Sequence, residues 1–343
     1  MAYYDGTKLL SLRDINGNKP ELVMVTTNRT GGKTTWFSRY LVKSFKKTGK
    51  KFGLLYRFNY ELSDVADKFF KDIHSLFFPG DEFSSESFAK GIYHELYLND
   101  KPCGYALSIN NADAIKKYSH LFSDIDHCFM DEFQSETNKY CANEIQKLLS
   151  VHTSIARGQG KQTRYVPVYM CGNAVSLLNP YYTALGISGR LKEDTHYLRG
   201  DGFVLEQGYI ESAANAMMES GFNRAFKNSK YVQYAAQNIY LNDNYSFIEK
   251  PEGRGRYVYT IKYLNKHYAL YDYDSLGIIY VTDKYDASFP YRMALTTDDH
   301  NINYVMLAKN ALTIAHYRNL FNKGCFRFKN LDCKQCVMAL LSF

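Results

Sequence analysis

The strongest constraint on this chain of 343 residues is the octapeptide Thr27-Asn28-Arg29-Thr30-Gly31-Gly32-Lys33-Thr34. The apolar run Leu22-Val23-Met24-Val25 before it predicts a short buried strand. After it, Trp36, Phe37, Tyr40, Leu41 and Phe45 recur near helical spacing through Lys47, with Gly49 as the stop. Strand, glycine-bearing loop and helix in that order form the context a phosphate-binding loop requires. Gly31 and Gly32 let backbone N–H groups close on phosphate oxygens, and the helix from Lys33 turns its positive end on the same anion. Residues Thr27 to Thr35 are therefore expected to line a nucleotide's phosphates. Lys33 would reach the β- and γ-phosphates, and the Thr34 hydroxyl would ligate Mg²⁺. Thr27 stands where the pattern places its first glycine. The bland alternative is a glycine-rich turn ahead of an ordinary helix.

A second motif weighs against that alternative. The apolar run His127-Cys128-Phe129-Met130 ends in Asp131-Glu132-Phe133. A carboxylate at the end of a buried strand is where such proteins hold Mg²⁺, and Asp131 fits that place. Glu132 next to it is placed to polarise a water for in-line attack on the γ-phosphate. The adjacent Glu, far downstream of the loop, favours the additional-strand, catalytic-glutamate class of ATPases over small kinases. Arg157, ending the following helical stretch, is a candidate to stabilise phosphoryl charge, often from a neighbouring subunit; Lys161 and Arg164 compete for that role. Each of the three is otherwise an ordinary surface charge. Cys171-Gly172-Asn173 closes the next strand, and the Asn173 amide could hold the attacking water or sense the γ-phosphate; a turn-forming Gly-Asn is the bland reading.

The surrounding pattern alternates strand and helix. Phe52–Tyr56 reads as strand and Leu62–Phe78 as helix. Ile92–Leu98 and Tyr105–Ile109 read as a hairpin about Asn99-Asp100-Lys101. Asn138–Ile155 reads as helix and Arg164–Cys171 as strand. This predicts an α/β domain with a largely parallel sheet. Glu211–Phe226 and Tyr231–Asn238 are helical stretches with weak apolar faces, read as a small linker module. Beyond Tyr245 the segments Tyr257–Leu264, His267–Tyr273 and Gly277–Thr282 predict an antiparallel meander with turns at Asn265-Lys266 and Asp274-Ser275. Asn301–Phe321 is expected as a helix, with Asp298-Asp299 as its N-cap.

Composition narrows the function classes. Apolar residues at 45% exclude wholesale disorder. No run of about 18 apolar residues predicts a membrane-spanning helix, and the first residues lack a secretory pattern, so no membrane partner is expected. Seven scattered cysteines point to a reducing cytoplasm rather than a disulfide framework. Cys333-Lys334-Gln335-Cys336 lacks a second ligand pair, so a zinc site is not expected. The formal net charge of +7 permits a polyanionic partner without demanding one. The cluster Lys46-Lys47 with Lys50-Lys51 closes a helix, where cations are favoured anyway. Asp272, Asp274, Asp283, Asp298 and Asp299 could in principle serve a two-metal nuclease, but each has a structural explanation.

Two longer strings carry a family resemblance. Gly172-Asn173-Ala174-Val175-Ser176-Leu177-Leu178-Asn179-Pro180-Tyr181-Tyr182 resembles the corresponding stretch of phi29-type bacteriophage DNA-packaging ATPases. So does Leu295-Thr296-Thr297-Asp298-Asp299, followed by Tyr317-Arg318-Asn319-Leu320 and Gly324-Cys325-Phe326-Arg327-Phe328. The phosphate loop, Met130-Asp131-Glu132-Phe133 and Leu148-Leu149 through Arg157 fall in the same order, so the resemblance spans nearly the whole chain.

The resemblance implies an additional-strand (ASCE) P-loop ATPase domain over 1–208 and a helical linker over 209–243. Over 244–343 it implies an α+β domain resembling a ribonuclease-H-like nuclease that has lost its catalytic acids. It implies ATP and Mg²⁺ as cofactors, and double-stranded DNA driven by ATP hydrolysis into a preformed procapsid. The machine implied is a homo-oligomeric ring, commonly of five subunits, bound at the portal vertex in the host cytoplasm. The best-known relatives also use a packaging RNA, which stays open here. Carried over by position, Lys33 and Thr34 bind phosphate and metal, Asp131 holds Mg²⁺, Glu132 is the catalytic carboxylate and Arg157 the trans-acting finger. Gly158-Gln159-Gly160-Lys161 replaces a more Arg-rich stretch of the family. Lys116 and Lys117 lie where the family places a pore-facing basic residue, and Arg254 and Arg256 are further candidates for DNA phosphates. The alternatives kept beside this reading are a non-catalytic nucleotide-binding assembly protein and a P-loop ATPase or kinase with another substrate.

Overall fold

In the computed structural model, which describes residues 3–137, 139–188, 190–191, 195–237, 240–241, 246–306 and 311–341, the chain divides into two compact units. The first is Met1–Ala184 with Leu191–Asn242; the second is Leu185–Arg190 with Asp243–Phe343. The helices expected as a linker module fall within the first unit. The expected boundary at 243/244 lies outside the described residues.

The strands of the first unit are β1 (Leu22–Thr26), β2 (Lys51–Tyr56), β3 (Phe83–Phe88), β4 (Tyr93–Leu98), β5 (Lys101–Ser108), β6 (Ile125–Met130), β7 (Val168–Gly172), β8 (Tyr197–Gly200) and β9 (Phe203–Gln207). Its helices are α1 (Thr7–Ser11), α2 (Lys33–Thr48), α3 (Val65–Phe77), α4 (Ala112–Lys117), α5 (Glu144–Ala156), α6 (Pro180–Ala184), α7 (Glu211–Glu219), α8 (Gly221–Ala225) and α9 (Lys230–Gln237). The nine strands form one sheet in the order β3-β4-β5-β2-β6-β7-β1-β9-β8. From β5 to β9 every neighbouring pair is parallel. Antiparallel partners close both edges. One strand, β7, separates β1 from β6, so the phosphate loop and the acidic couplet emerge on either side of it at the same sheet edge.

Side-chain alternation explains the burial. Val23 and Val25 face the core that Phe37 and Leu41 of α2 and Phe69 and Phe70 of α3 complete, together with Leu54, Phe129 and Cys171. Met24, pointing the other way, is also fully buried, so β1 is covered on both faces, as a parallel strand requires. Removing a ring such as Phe37 from this core costs about 3–5 kcal/mol. The predicted hairpin is β4–β5, and its Asn99-Asp100 turn has φ of 49° and 61°, the left-handed pair that a two-residue turn demands.

Several expected bounds shift. The helix expected from Asn138 starts at Glu144, because 139–143 is a loop in which the Glu144 carboxylate accepts the Cys141 N–H; Asn138 itself is outside the described residues. The strand expected from Arg164 starts at Val168, since Pro167 has no N–H to give a ladder. Strands β3, β8 and β9 were not expected.

The second unit holds β10 (Arg256–Tyr263), β11 (Lys266–Tyr273), β12 (Ile278–Thr282), β13 (Arg292–Ala294), β14 (Val305–Met306), α10 (Ala311–Asn322), β15 (Phe326–Phe328) and α11 (Leu331–Leu341). Its sheet runs β14-β13-β10-β11-β12-β15, an antiparallel meander flanked by parallel strands. Ile261, Leu270, Val281, Phe326, Phe328, Val337 and Leu340 form its core. The helix expected from Asn301 is corrected. Asn301 and Tyr304 form a bridge, Val305–Met306 joins the sheet, and among the described residues the helix is Ala311–Asn322, with 307–310 outside them. Asp299 caps no helix; its carboxylate accepts the Thr296 hydroxyl at 2.6 Å and the Asn265 N–H at 2.9 Å.

Candidate active site

The phosphate loop folds as its glycines require, and the missing glycine is explained. Gly32 has φ of 88°, which a Cβ disfavours, and a Cβ at Gly31 would sit 2.9 Å from Ile210 Cγ1. Thr27 has no positive φ, so a side chain is tolerated there. It is fully buried and its hydroxyl donates to Asn28 O at 2.8 Å. The loop is pinned from outside. Tyr4 N–H donates to Gly31 O at 2.8 Å. The Asn28 amide forms a reciprocal pair with the Ile210 backbone at 3.0 and 2.9 Å.

Lys33 opens α2, and its buried Nζ donates to Asn173 Oδ1 at 2.6 Å. Burial lowers its pKa, against the opposing pull of Asp131 and Glu132. Thr34 Oγ1 donates to Asp131 Oδ1 at 3.2 Å, and the same oxygen accepts the Glu132 N–H at 3.0 Å. Burial, and then the neighbouring Glu132, push the Asp131 carboxyl up to about 6. An acid held so unfavourably charged, with a hydroxyl beside it, is a donor set that suits a hard divalent cation. Mg²⁺ takes one or two protein oxygens and completes its shell with water and phosphate. Thr34 and Asp131 thus fit the metal role. Beside them lies a cavity of about 210 Å³ that both residues line with Thr35, Tyr56 and Phe129.

The acidic couplet is held by residues that the sequence did not single out. Arg57, just beyond β2, bonds the Glu144 carboxylate through Nε at 2.9 and 3.0 Å. Its Nη2 donates to Phe133 O at 2.8 Å and to Glu132 O at 3.4 Å. Tyr181 donates to Glu144 at 2.5 Å. Glu132 has φ of 51° and an exposed side chain at the end of β6. Gln134 Oε1 accepts the N–H groups of Val175 and Ser176, tying the acidic loop to the segment after Asn173.

Arg29 is taken up by residues outside the loop. It pairs with Glu136 at 2.7 Å and donates to Tyr231 Oη at 2.5 Å, while its backbone N–H bonds Ala235 O at 3.0 Å. Tyr234 donates to the same Glu136 oxygen at 2.6 Å. Helix α9 therefore rests on the phosphate loop.

The three basic finger candidates lie elsewhere. Arg157 caps the end of α5, exposed, ahead of the tight Gly158–Lys161 turn. Arg164 is committed to the carbonyls of Ile155 at 2.8 Å and Ile125 at 3.2 Å. Ile125 begins the strand that ends at Met130, before Asp131. Six residues of strand place this edge about 20 Å from the chain's own acidic couplet. Arg157 is not brought to the phosphate loop of its own chain.

Among the proposed DNA contacts, Lys116 pairs with Asp113 at 3.1 Å and Lys117 is exposed at the end of α4. Arg254 is exposed, and Arg256 is held between Asp272 at 3.2 Å and Asp274 at 3.6 Å. Lys46, Lys50 and Lys51 are ion-paired to Asp81, Asp126 and Asp124. In the second unit Asp283 is paired with Lys329. Among the described residues no group of three or more His, Cys, Asp or Glu side chains is arranged to hold a metal.

Comparison with known proteins finds relatives over nearly the whole chain. The family model for the podovirus DNA encapsidation protein (Gp16) matches residues 1–342. The DNA packaging proteins of Bacillus phages PZA and phi29 are each 26% identical over 334 residues, covering 96% of this chain and 93% of theirs. A solved chain of the bacteriophage phi29 viral genome packaging motor assembly matches with a TM-score of 0.66 at 23% identity, covering 100% of this chain and 98% of that one. The phi28 gp11 DNA packaging motor matches with a TM-score of 0.62 at 14% identity, covering 99% and 97%.

Proposed function

Because the chain belongs to the podovirus DNA encapsidation protein (Gp16) family, we propose that it is the ATP-hydrolysing subunit of a motor that drives double-stranded DNA through a portal into a procapsid. The observation that carries this reading is the meeting of Lys33, Thr34, Asp131, Glu132 and Asn173 at the adjacent ends of β1, β6 and β7. The backbone of 27–34 cradles the β- and γ-phosphates of ATP, and Lys33 moves from Asn173 to the phosphate oxygens. Freed of Lys33, the Asn173 amide orients the attacking water. Glu132 takes the proton of that water as it attacks in line. Mg²⁺, when held by Thr34 and Asp131, neutralises phosphate charge. Arg157, at the far edge of the sheet, serves the nucleotide of a neighbouring subunit in a ring, which we take as five-membered.

DNA is gripped through its phosphates by Lys117 and Arg254, with Lys116 and Arg256 released from their carboxylates, so that any sequence passes. The division into an ATPase segment (1–208), a helical linker (209–243) and a vestigial nuclease segment (244–343) belongs to this reading. So does action at the portal vertex. The test is ATP turnover by the full chain with portal-bearing procapsids and DNA. Glu132→Gln should retain ATP binding and lose both hydrolysis and packaging. A variant that still packages DNA, or a wild-type chain whose turnover ignores DNA, overturns the proposal.

A further inference from the structure

Next to the phosphate loop, on the side of Gly31 and Gly32, lies a cavity of about 370 Å³ lined by Tyr3, Tyr209, Ile210, Glu211, Ser212 and Asn215. Its size falls in the range of small-ligand sites. Two of its walls are aromatic rings that folding leaves in solvent: Tyr3 is 70% exposed and Tyr209 51%. Both rings are nonetheless held in place by their chain neighbours. Tyr4 is bonded to Gly31 O, and its hydroxyl donates to Glu206 at 2.8 Å. Ile210 is bonded on both sides of its backbone to the Asn28 amide. Each ring therefore sits one residue from an anchor on the phosphate loop itself. The contact is close: a Cβ on Gly32 would lie 3.2 Å from Tyr3 Cδ1. The first turns of α7 add the polar residues Glu211, Ser212 and Asn215 to the same lining.

Exposed rings anchored at a phosphate nest, with polar residues in the same lining, match a planar heteroaromatic group attached to phosphates. Stacking on tyrosine faces accepts any base, whereas an amide at the edge discriminates, because Asn can meet N6 and N7 of adenine together. We propose that this cavity takes the nucleobase of the bound nucleotide, with Tyr3 and Tyr209 stacking on the ring and Asn215 reading its edge. The inference rests on residues 27–34 holding a triphosphate.

The experiment separates base from phosphates by using two probes on the full chain, ATP and inorganic tripolyphosphate, with circular dichroism confirming the fold of each variant. Tyr3→Ala and Tyr209→Ala should each weaken ATP binding by roughly five- to a hundredfold and leave tripolyphosphate binding unchanged. Tyr3→Phe and Tyr209→Phe should bind ATP as the wild type does, since stacking needs the ring and not the hydroxyl. Asn215→Ala should lower the preference for ATP over CTP. If the alanine variants bind ATP normally, or if wild type binds ATP no more tightly than tripolyphosphate, the base site is overturned. A wild-type chain that binds neither probe overturns the triphosphate reading, and the base site with it.

Discussion

Replacing Arg57 by Met tests how the acidic loop is held. The Arg57 and Glu144 side chains are 8% and 1% exposed and sit 2.9 Å apart, so neither is stabilised by water. Removing the guanidinium leaves Glu144 buried, still accepting from Tyr181 Oη and the Cys141 N–H but without the cation that Arg57 gives it. Breaking a buried pair from one side costs about 3–5 kcal/mol, most of it from the stranded charge. The double variant Arg57→Met/Glu144→Gln removes that charge and should regain most of the loss. Urea unfolding of the three proteins measures both numbers. Activity should behave differently from stability. The carbonyls of Glu132 and Phe133 lose their donor in both variants, so hydrolysis should fall at least tenfold in the single and stay low in the double. A single variant within about 1 kcal/mol of wild type contradicts the buried-pair argument. A double variant with restored turnover refutes the claim that Arg57 positions the couplet.

Three further outcomes follow from the geometry. Arg157→Ala should bind ATP normally and be nearly inactive alone. Mixed with Glu132→Gln subunits, it should recover some turnover at those interfaces where an intact Glu132 faces an intact Arg157, as measured by steady-state phosphate release; no recovery at any mixing ratio would argue against action across subunits. Gly32→Ala forces a Cβ into a left-handed position, at a cost of about 1–2 kcal/mol, and should weaken ATP binding more than it lowers global stability, as compared by calorimetry and thermal melts. Replacing Lys116 and Lys117 together by Ala should weaken DNA binding at 50 mM salt and flatten its salt dependence by up to about two in slope, without changing basal ATP affinity.

The parts of the fold that declare themselves locally were legible in the residues. The runs at Leu22–Val25 and His127–Met130 are apolar because they are parallel strands covered on both faces, and the loop after each carries its chemistry within a few positions. What escaped is non-local or polar. Arg57 and Glu144 are 87 positions apart, and nothing in either neighbourhood names the other. β3 is the serine-rich edge strand Phe-Ser-Ser-Glu-Ser-Phe, whose alternation is muted because an edge needs only one buried face. The β8–β9 hairpin did carry a signal, the Asp201-Gly202 turn. The helix expected from Asn301 misled because apolar residues there serve a two-residue strand before the helix proper. The linker helices read as polar and loosely patterned. Their purpose is visible only once Tyr231, Tyr234 and Ala235 are seen touching Arg29 and Glu136.

That seat of α9 on Arg29 has a thermodynamic corollary. Two equilibria that share one set of bonds cannot be moved independently: if filling the phosphate loop shifts the balance between docked and lifted α9, then lifting α9 by force must shift nucleotide affinity by the same factor. A duplex resisting entry would then be felt as an altered dissociation constant, and tension would enter the chemistry as though it were a concentration.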